Sequence, residues 1–227
     1  MILFSFCALV YALTLLLVRP LPSSLKAEEP GFGQHVASIK VSLLLGLGLM
    51  GIFLLTSEFG FIETETGILE SFAMSGGWWL EARSPLRVLT HWLLHIDIGH
   101  LIANVALLGL LSVYERRVGA QRVIAVLLAS CLASSPSAFF YPESTVICGI
   151  SGGLFGLAAA YFVDERALTT KDWLNGIVLF TVIVGLLTLS DIVHGAKAND
   201  LNYEIDHIGH LLGALGAIAY CRVRPLG

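Results

Sequence analysis

Charged side chains are scarce in this chain. They make up 13% of its 227 residues, where a soluble domain carries about 25%, and that shortage excludes an ordinary water-soluble domain. The thirteen Lys and Arg residues form no stripe, and the net charge is −4 with a pI near 5.9, so no electrostatic footprint for nucleic acid is present. Cysteine is sparse too. Cys7, Cys131, Cys148 and Cys221 have no metal-type spacing and read as small packing residues, with no disulfide inferred. No H-E-x-x-H string occurs, which removes the commonest hydrolytic zinc signature. Internal repeats, low-complexity tracts and the inverted halves of a transporter are likewise not visible.

What fills the chain instead is apolar. Hydrophobic residues reach 56%, and the mean hydropathy is +0.81. A span needs about 20 apolar residues, fewer where neighbouring helices shield its ends. Seven segments qualify: Ile2–Val18, Val36–Leu55, His95–Tyr114, Arg122–Tyr141, Ile150–Val163, Trp173–Leu189 and Ile205–Cys221. The fifth, at 14 residues, is too short to cross alone and is expected to be buried among the others.

The basic residues orient these spans. Alternate loops collect Arg19, Lys26 and Lys40, then Arg116, Arg117 and Arg122, then Arg166 and Lys171, then Arg222 and Arg224. The opposite side holds Arg83, Arg87 and Lys197. The positive-inside rule therefore predicts an outer N-terminus and a cytoplasmic C-terminus, and a multi-pass protein of the bacterial inner (plasma) membrane is expected. The first segment lacks a basic start, and Arg19-Pro20-Leu21-Pro22 is no small-residue cleavage site, so a retained helix is expected rather than a signal peptide. Residues 1–35 then form an extra helix and cytoplasmic linker, ahead of a six-span core at 36–227. The long outer loop at 56–90 carries Phe59, Phe61, Ile62, Trp78 and Trp79 and is expected to lie in the membrane interface, with the tryptophans at headgroup depth.

Polar residues inside such segments need an explanation, because hydrocarbon offers them no water. Ser151 lies in Gly149-Ile150-Ser151-Gly152 at the start of the short fifth span. It reads either as a helix-capping serine or as a nucleophile beside helix N–H groups able to hold an anion. His100 and Asn104, four apart on one face of the third span, read either as interhelical hydrogen-bonding glue or as a pair of oxyanion donors. His210 lies between Gly209 and Gly213, and Gly152–Gly156 makes a second small-residue stripe. If the two stripes meet, a neutral His210 can act as base toward Ser151, with Phe155 packed on its ring.

The ordered motifs resemble those of the rhomboid family of intramembrane serine proteases, over residues 86–222. They are Thr90-His91-Trp92-Leu93-Leu94-His95 followed by His100-Leu101-Ile102-Ala103-Asn104, then Tyr114-Glu115-Arg116-Arg117-Val118-Gly119, the Gly149–Gly152 turn, and His210-Leu211-Leu212-Gly213. The resemblance implies an all-α six-helix bundle, here with one additional N-terminal span. It implies a Ser151–His210 dyad without an acidic third member, and an oxyanion site from the Ser151 backbone N–H with His100 and Asn104. Gly149, Gly152, Phe155 and Gly213 would be supporting residues, His95 structural, and Glu115 a tie for the cytoplasmic turn. No cofactor or metal is implied. The partners would be transmembrane protein substrates and the lipid bilayer, not nucleic acid, with the oligomeric state open. Residues 173–189 and 190–204 would be gate and cap.

The chain departs from the family pattern at Leu86-Arg87, where many members have Trp-Arg, and at Ala217, where a glycine often follows. His207, one turn before His210, is a rival base. Two other classes stay open: a catalytically inactive rhomboid-like binding protein, and a histidine-ligated membrane metalloenzyme using His207, His210, His91, His95 and His100. Asp97 and Asp206, the carboxylates near these histidines, are expected to be exposed at the outer face.

Overall fold

The computed structural model describes residues 1–18, 31–76, 84–164, 170, 171, 174, 178, 202, 203 and 205–226, and most of them are helical. The Trp173–Leu189 segment, Trp78 and Trp79 fall outside the described residues but for Leu174 and Val178, as does the 190–204 loop apart from 202 and 203. In chain order the helices are α1 (Ile2–Leu17), α2 (Phe32–Ala37), α3 (Lys40–Thr56), α4 (Thr66–Phe72), α5 (Ser84–Thr90), α6 (Ile98–Val118), α7 (Ala120–Ser134), α8 (Ser151–Asp164) and α9 (His207–Val223).

By length and apolarity, two runs among the described residues can cross a membrane: Ile98–Val118, and Ala120–Phe140, in which α7 continues into a 3-10 turn. Helices α1 and α3 are more apolar but shorter, at 16 and 17 residues. The outer surfaces of α1, α6 and α7 present bare Ile2, Phe6, Leu110, Val113, Leu128 and Leu132. An apolar belt of that kind belongs in lipid, not water. With so few charges in its sequence, the chain is a membrane protein.

Helix α8 is the hub. Eight of its residues are buried, from Gly152 and Leu154 to Ala160 and Asp164, so the shortest apolar segment is enclosed by its neighbours. The core around it joins Leu101 and Leu108 of α6, Val126 of α7, Leu154 and Leu157 of α8 and Ala217 of α9 to Leu49 and Phe53 of α3.

The run expected as a single span at Val36–Leu55 is mostly α3, but its first two residues, Val36 and Ala37, belong to the end of α2. Helix α2 stops at Ser38, whose hydroxyl donates to the His35 carbonyl at 2.7 Å. His35 in turn donates from Nε2 to the Leu15 carbonyl at 3.0 Å, satisfying an orphan carbonyl at the end of α1. Helix α3 restarts under Glu115, which accepts from the Val41 and Ser42 N–H groups at 2.7 and 2.8 Å and from the Ser42 hydroxyl at 2.7 Å. The break lets one carboxylate serve a new helix N-terminus, where negative charge is favourable.

At the other end of the bundle lies a small sheet that the helical periodicity did not foresee. β1 (Met74–Ser75) pairs antiparallel with β2 (Thr145–Ile147), and β2 pairs parallel with β3 (Asn202–Tyr203). The loop at 56–66 is not purely interfacial. Phe61 is fully buried, edge-on to Phe53 and Phe4, while Phe59 and Ile62 are exposed. This loop pins the entry to α6 through Ile98 N–H to the Ile62 carbonyl at 2.8 Å and Thr64 N–H to the Ile96 carbonyl at 2.9 Å.

Basic residues gather at the opposite end. Asp164 accepts from Nη2 and Nε of Arg122, at 2.9 and 3.1 Å, and from the Tyr114 hydroxyl at 2.6 Å. Arg117 donates to the Asp164 carbonyl and Arg122 to that of Arg224. That knot ties the ends of α6, α7, α8 and α9 together, leaving their other ends to form a site.

Candidate active site

Ser151 is the first residue of α8. Its hydroxyl does not turn back to cap its own helix but meets Nε2 of His210 at 2.8 Å. His210 stands one turn inside α9 and is buried. Phe155, one turn beyond Ser151, lies flat on the imidazole, with ring centres 4.2 Å apart and planes within 7°. The ring is thereby held in one orientation from its face and one edge. Its Nδ1 is buried and has no hydrogen-bond partner among the described residues.

The close approach follows from the two glycine stripes. A β-carbon on Gly213 would stand 2.7 Å from the carbonyl carbon of Gly152, and one on Gly152 would stand 3.3 Å from the Gly209 carbonyl oxygen. Backbone therefore meets backbone between α8 and α9, as small residues allow.

The turn before Ser151 is fixed just as closely. Gly149 has φ +108°, a region that L side chains rarely adopt, and its N–H donates to the His91 carbonyl at 2.8 Å. A β-carbon on Gly149 would come within 2.7 Å of His100 Cε1 and Nε2 and 3.8 Å of Asn104 Nδ2. This places the His100 ring and the Asn104 amide against the same turn that leads into Ser151. Asn104 is buried and donates through Nδ2 to the His100 carbonyl at 3.0 Å, which leaves its second N–H for another acceptor. Helix α6 positions both residues, starting at Asp97, whose carboxylate accepts the His100 N–H at 2.8 Å.

The structure thus gathers Ser151, His210, Phe155, Gly149, Gly152 and Gly213, with His100 and Asn104 bordering the turn. His207 lies outside that contact: its ring is 6.1 Å from that of His210 and nearly perpendicular to it. His95 is fully buried beside His100, with ring centres 5.0 Å apart, and neither of its nitrogens has a hydrogen-bond partner among the described residues. Arg87 bonds the Glu70 carbonyl and so joins α5 to α4.

Asp97 and Asp206 are half-buried helix caps rather than exposed outer-face carboxylates. Asp206 accepts the Gly209 N–H at 2.7 Å and the Ser137 hydroxyl, which anchors the start of α9 to the 3-10 turn after α7. Sequence reasoning overlooked this anchor, although an Asp just before an apolar helical run is an N-cap signature. Among the described residues no group of three His, Cys, Asp or Glu side chains is disposed to hold a metal ion. All four cysteines are free thiols, three of them buried.

A nucleophile-base contact beside a helix N-terminus and side-chain N–H donors is an arrangement suited to acyl transfer. A family model described as the Rhomboid domain matches residues 82–224, more than half of the chain. No curated protein matches it.

Proposed function

The chain belongs to the rhomboid family, a family of intramembrane serine proteases, and from that premise we propose that it hydrolyses peptide bonds of transmembrane substrates with a Ser151–His210 dyad. The observation that carries this reading is the 2.8 Å contact between Ser151 Oγ and His210 Nε2, with the imidazole stacked on Phe155.

In the proposed reaction His210 Nε2 accepts the hydroxyl proton as Ser151 Oγ attacks the substrate carbonyl. The oxyanion that forms is held by the Ser151 backbone N–H, the His100 side chain and the free N–H of the Asn104 amide. One such donor is worth on the order of a hundredfold in rate. His210 then returns its proton to the leaving amine as the C–N bond breaks. Water repeats the sequence on the ester, releasing the second product and restoring the serine.

Seven spans, an outer N-terminus and a cytoplasmic C-terminus complete the proposal. The Lys and Arg distribution supports them, with the Asp164–Arg122 knot at the cytoplasmic end and Ser151 toward the outer end. A substrate helix would be cut near the outer face, where unwinding exposes its backbone carbonyl and water can reach the ester.

The test reconstitutes wild type, Ser151→Ala, His210→Ala and His207→Ala in liposomes with a model single-span substrate. Cleavage is expected from wild type and His207→Ala, with loss in the other two and labelling of Ser151 by a serine-directed phosphonate. Cleavage by Ser151→Ala would sink the serine mechanism, and activity kept in His210→Ala but lost in His207→Ala would reverse the choice of base. A wild type that binds the substrate without cutting it would leave the inactive binder. Loss of cleavage on chelation would favour the metalloenzyme.

A further inference from the structure

A large cavity in the described structure lies away from Ser151. It is a groove of about 650 Å³ between α1, α3 and α6, lined by Phe6, Val10 and Val18 on one side and by Ile102, Gly109 and Arg116 on another. Its walls are almost wholly apolar, and its one cation stands at the end where α1 stops. From Phe6 to Val18 is about 18 Å of helix at 1.5 Å per residue. Half of a bilayer's hydrocarbon is about 15 Å deep. The groove has the length of one leaflet.

Arg116 gives that length a polarity. One of its Nη atoms donates to the Val18 carbonyl at 3.2 Å, while its Nε is buried without a hydrogen-bond partner among the described residues. The adjacent carboxylate, Glu115, is occupied by three donors from Val41 and Ser42. A buried guanidinium nitrogen without an acceptor is unfavourable, and a phosphate oxygen is the acceptor its fork geometry suits best. A second protein helix would bring an apolar face to that cation and leave it unsatisfied.

We propose that this groove binds a phospholipid with an anionic headgroup, its acyl chain lying along α1 and α6 and its phosphate at Arg116. Basic pockets between helices on the cytoplasmic side of a membrane are suited to such headgroups, and Arg116, in the last turn of α6, is one of the cations whose distribution orients the chain. The lipid would join the extra N-terminal helix to the core, supplementing the Tyr11 hydroxyl bond to the Ser42 carbonyl at 2.7 Å. The inference rests on the membrane location alone, so inactivity of the Ser151 or His210 variants leaves it standing.

The experiment is native mass spectrometry of the full chain, released from bilayers of equal phosphatidylglycerol and phosphatidylcholine with matched acyl chains. Wild type is expected to retain one phosphatidylglycerol with about a fivefold preference, the effect of one cation near the surface. Arg116→Gln should erase the preference and Arg116→Lys, which keeps the charge but not the fork, should weaken it, while Ala106→Trp, which fills the groove wall, should lose both lipids. Thermal unfolding identifies any variant that has failed to fold, in which case the wild-type ratio and Ala106→Trp decide. Equal retention of the two lipids by wild type, or a preference that survives Arg116→Gln, overturns the proposal. So does an inorganic phosphate adduct in place of lipid, or a photo-crosslinker at position 106 that captures a second copy or a substrate helix.

Discussion

Replacing Gly213 by alanine adds one methyl group where α8 and α9 touch. Its carbon would stand 2.7 Å from the Gly152 carbonyl carbon and 3.2 Å from the Gly152 Cα, nearer still to the carbonyl oxygen. Ordinary carbon contacts are about 3.5 Å, so the helices must part by at least about 0.8 Å. If half or more of that opening reaches the site, the 2.8 Å Ser151–His210 contact lengthens beyond 3.2 Å, and at about 3.6 Å it is no longer a hydrogen bond. A misplacement of about 1 Å can lower rate a hundredfold, while overpacking of this size destabilises by about 1–3 kcal/mol. Gly213→Ala should therefore fold with a lowered Tm but lose about a hundredfold in kcat/KM on the liposome substrate, and react with a serine-directed phosphonate correspondingly slowly. Gly48→Ala is the control. Nothing lies within 4 Å of a β-carbon there, so activity should be unchanged and stability slightly raised. Activity in Gly213→Ala within threefold of wild type, per folded molecule, would refute the claim that backbone contact sets the dyad geometry.

Two further outcomes follow from the same structure. Glu115→Ala removes a carboxylate that accepts three hydrogen bonds at the start of α3. The loss should be about 2–4 kcal/mol, since bonds to a charged group are worth about 1.5–3 kcal/mol each and are only partly replaced by water; a Tm within a few degrees of wild type would count against it. His91, buried beside the Gly149 turn and outside the long spans, donates from Nδ1 to the Arg87 carbonyl at 2.8 Å. Burial pushes its pKa down to about 4. The unfolded chain takes up the proton first, at about 6.5, so stability is fully present above that pH and is lost as pH falls toward 4. Unfolding followed by circular dichroism should show that acid loss in wild type and a shallower one in His91→Gln; equal slopes would remove His91 as its source.

Much of the architecture was legible in the chain. Apolar runs of span length, separated by turns that carry most of the cations, mark a helical membrane protein. Helices α1, α3, α6, α8 and α9 begin and end within four residues of those runs, whereas α4, α5 and most of α2 fall in stretches read as linker or loop. The exceptions have local causes. Val36–Leu55 breaks because His35 and Glu115 attend to helix ends far away in sequence, and nothing within the run announces either partner. The three-stranded sheet was invisible because its strands are two or three residues long, too short for any alternation to register. Phe61, expected at the interface, turns into the core at φ +57°, a conformation no propensity would assign to phenylalanine.

The amino-acid sequence by itself determined that this chain must live in a membrane and which polar residues would need partners there. Its charge deficit, its apolar segments and the four motifs in order are one-dimensional facts. Only the tertiary structure decided how those residues meet. Ser151 and His210 are 59 positions apart, and the same serine would be an ordinary helix cap if α9 stood farther off. What brings them together is the direct backbone contact at Gly152 and Gly213, with the Arg122–Asp164 knot closing the opposite end of the bundle. Likewise Arg116 is one more cationic residue in the sequence, and becomes a lipid-site candidate because α1 packs beside α6 and leaves a groove that ends on it. Periodicity reports what one helix buries. Which helix covers it is a matter of packing, and at this site the packing is decided by the absence of two side chains.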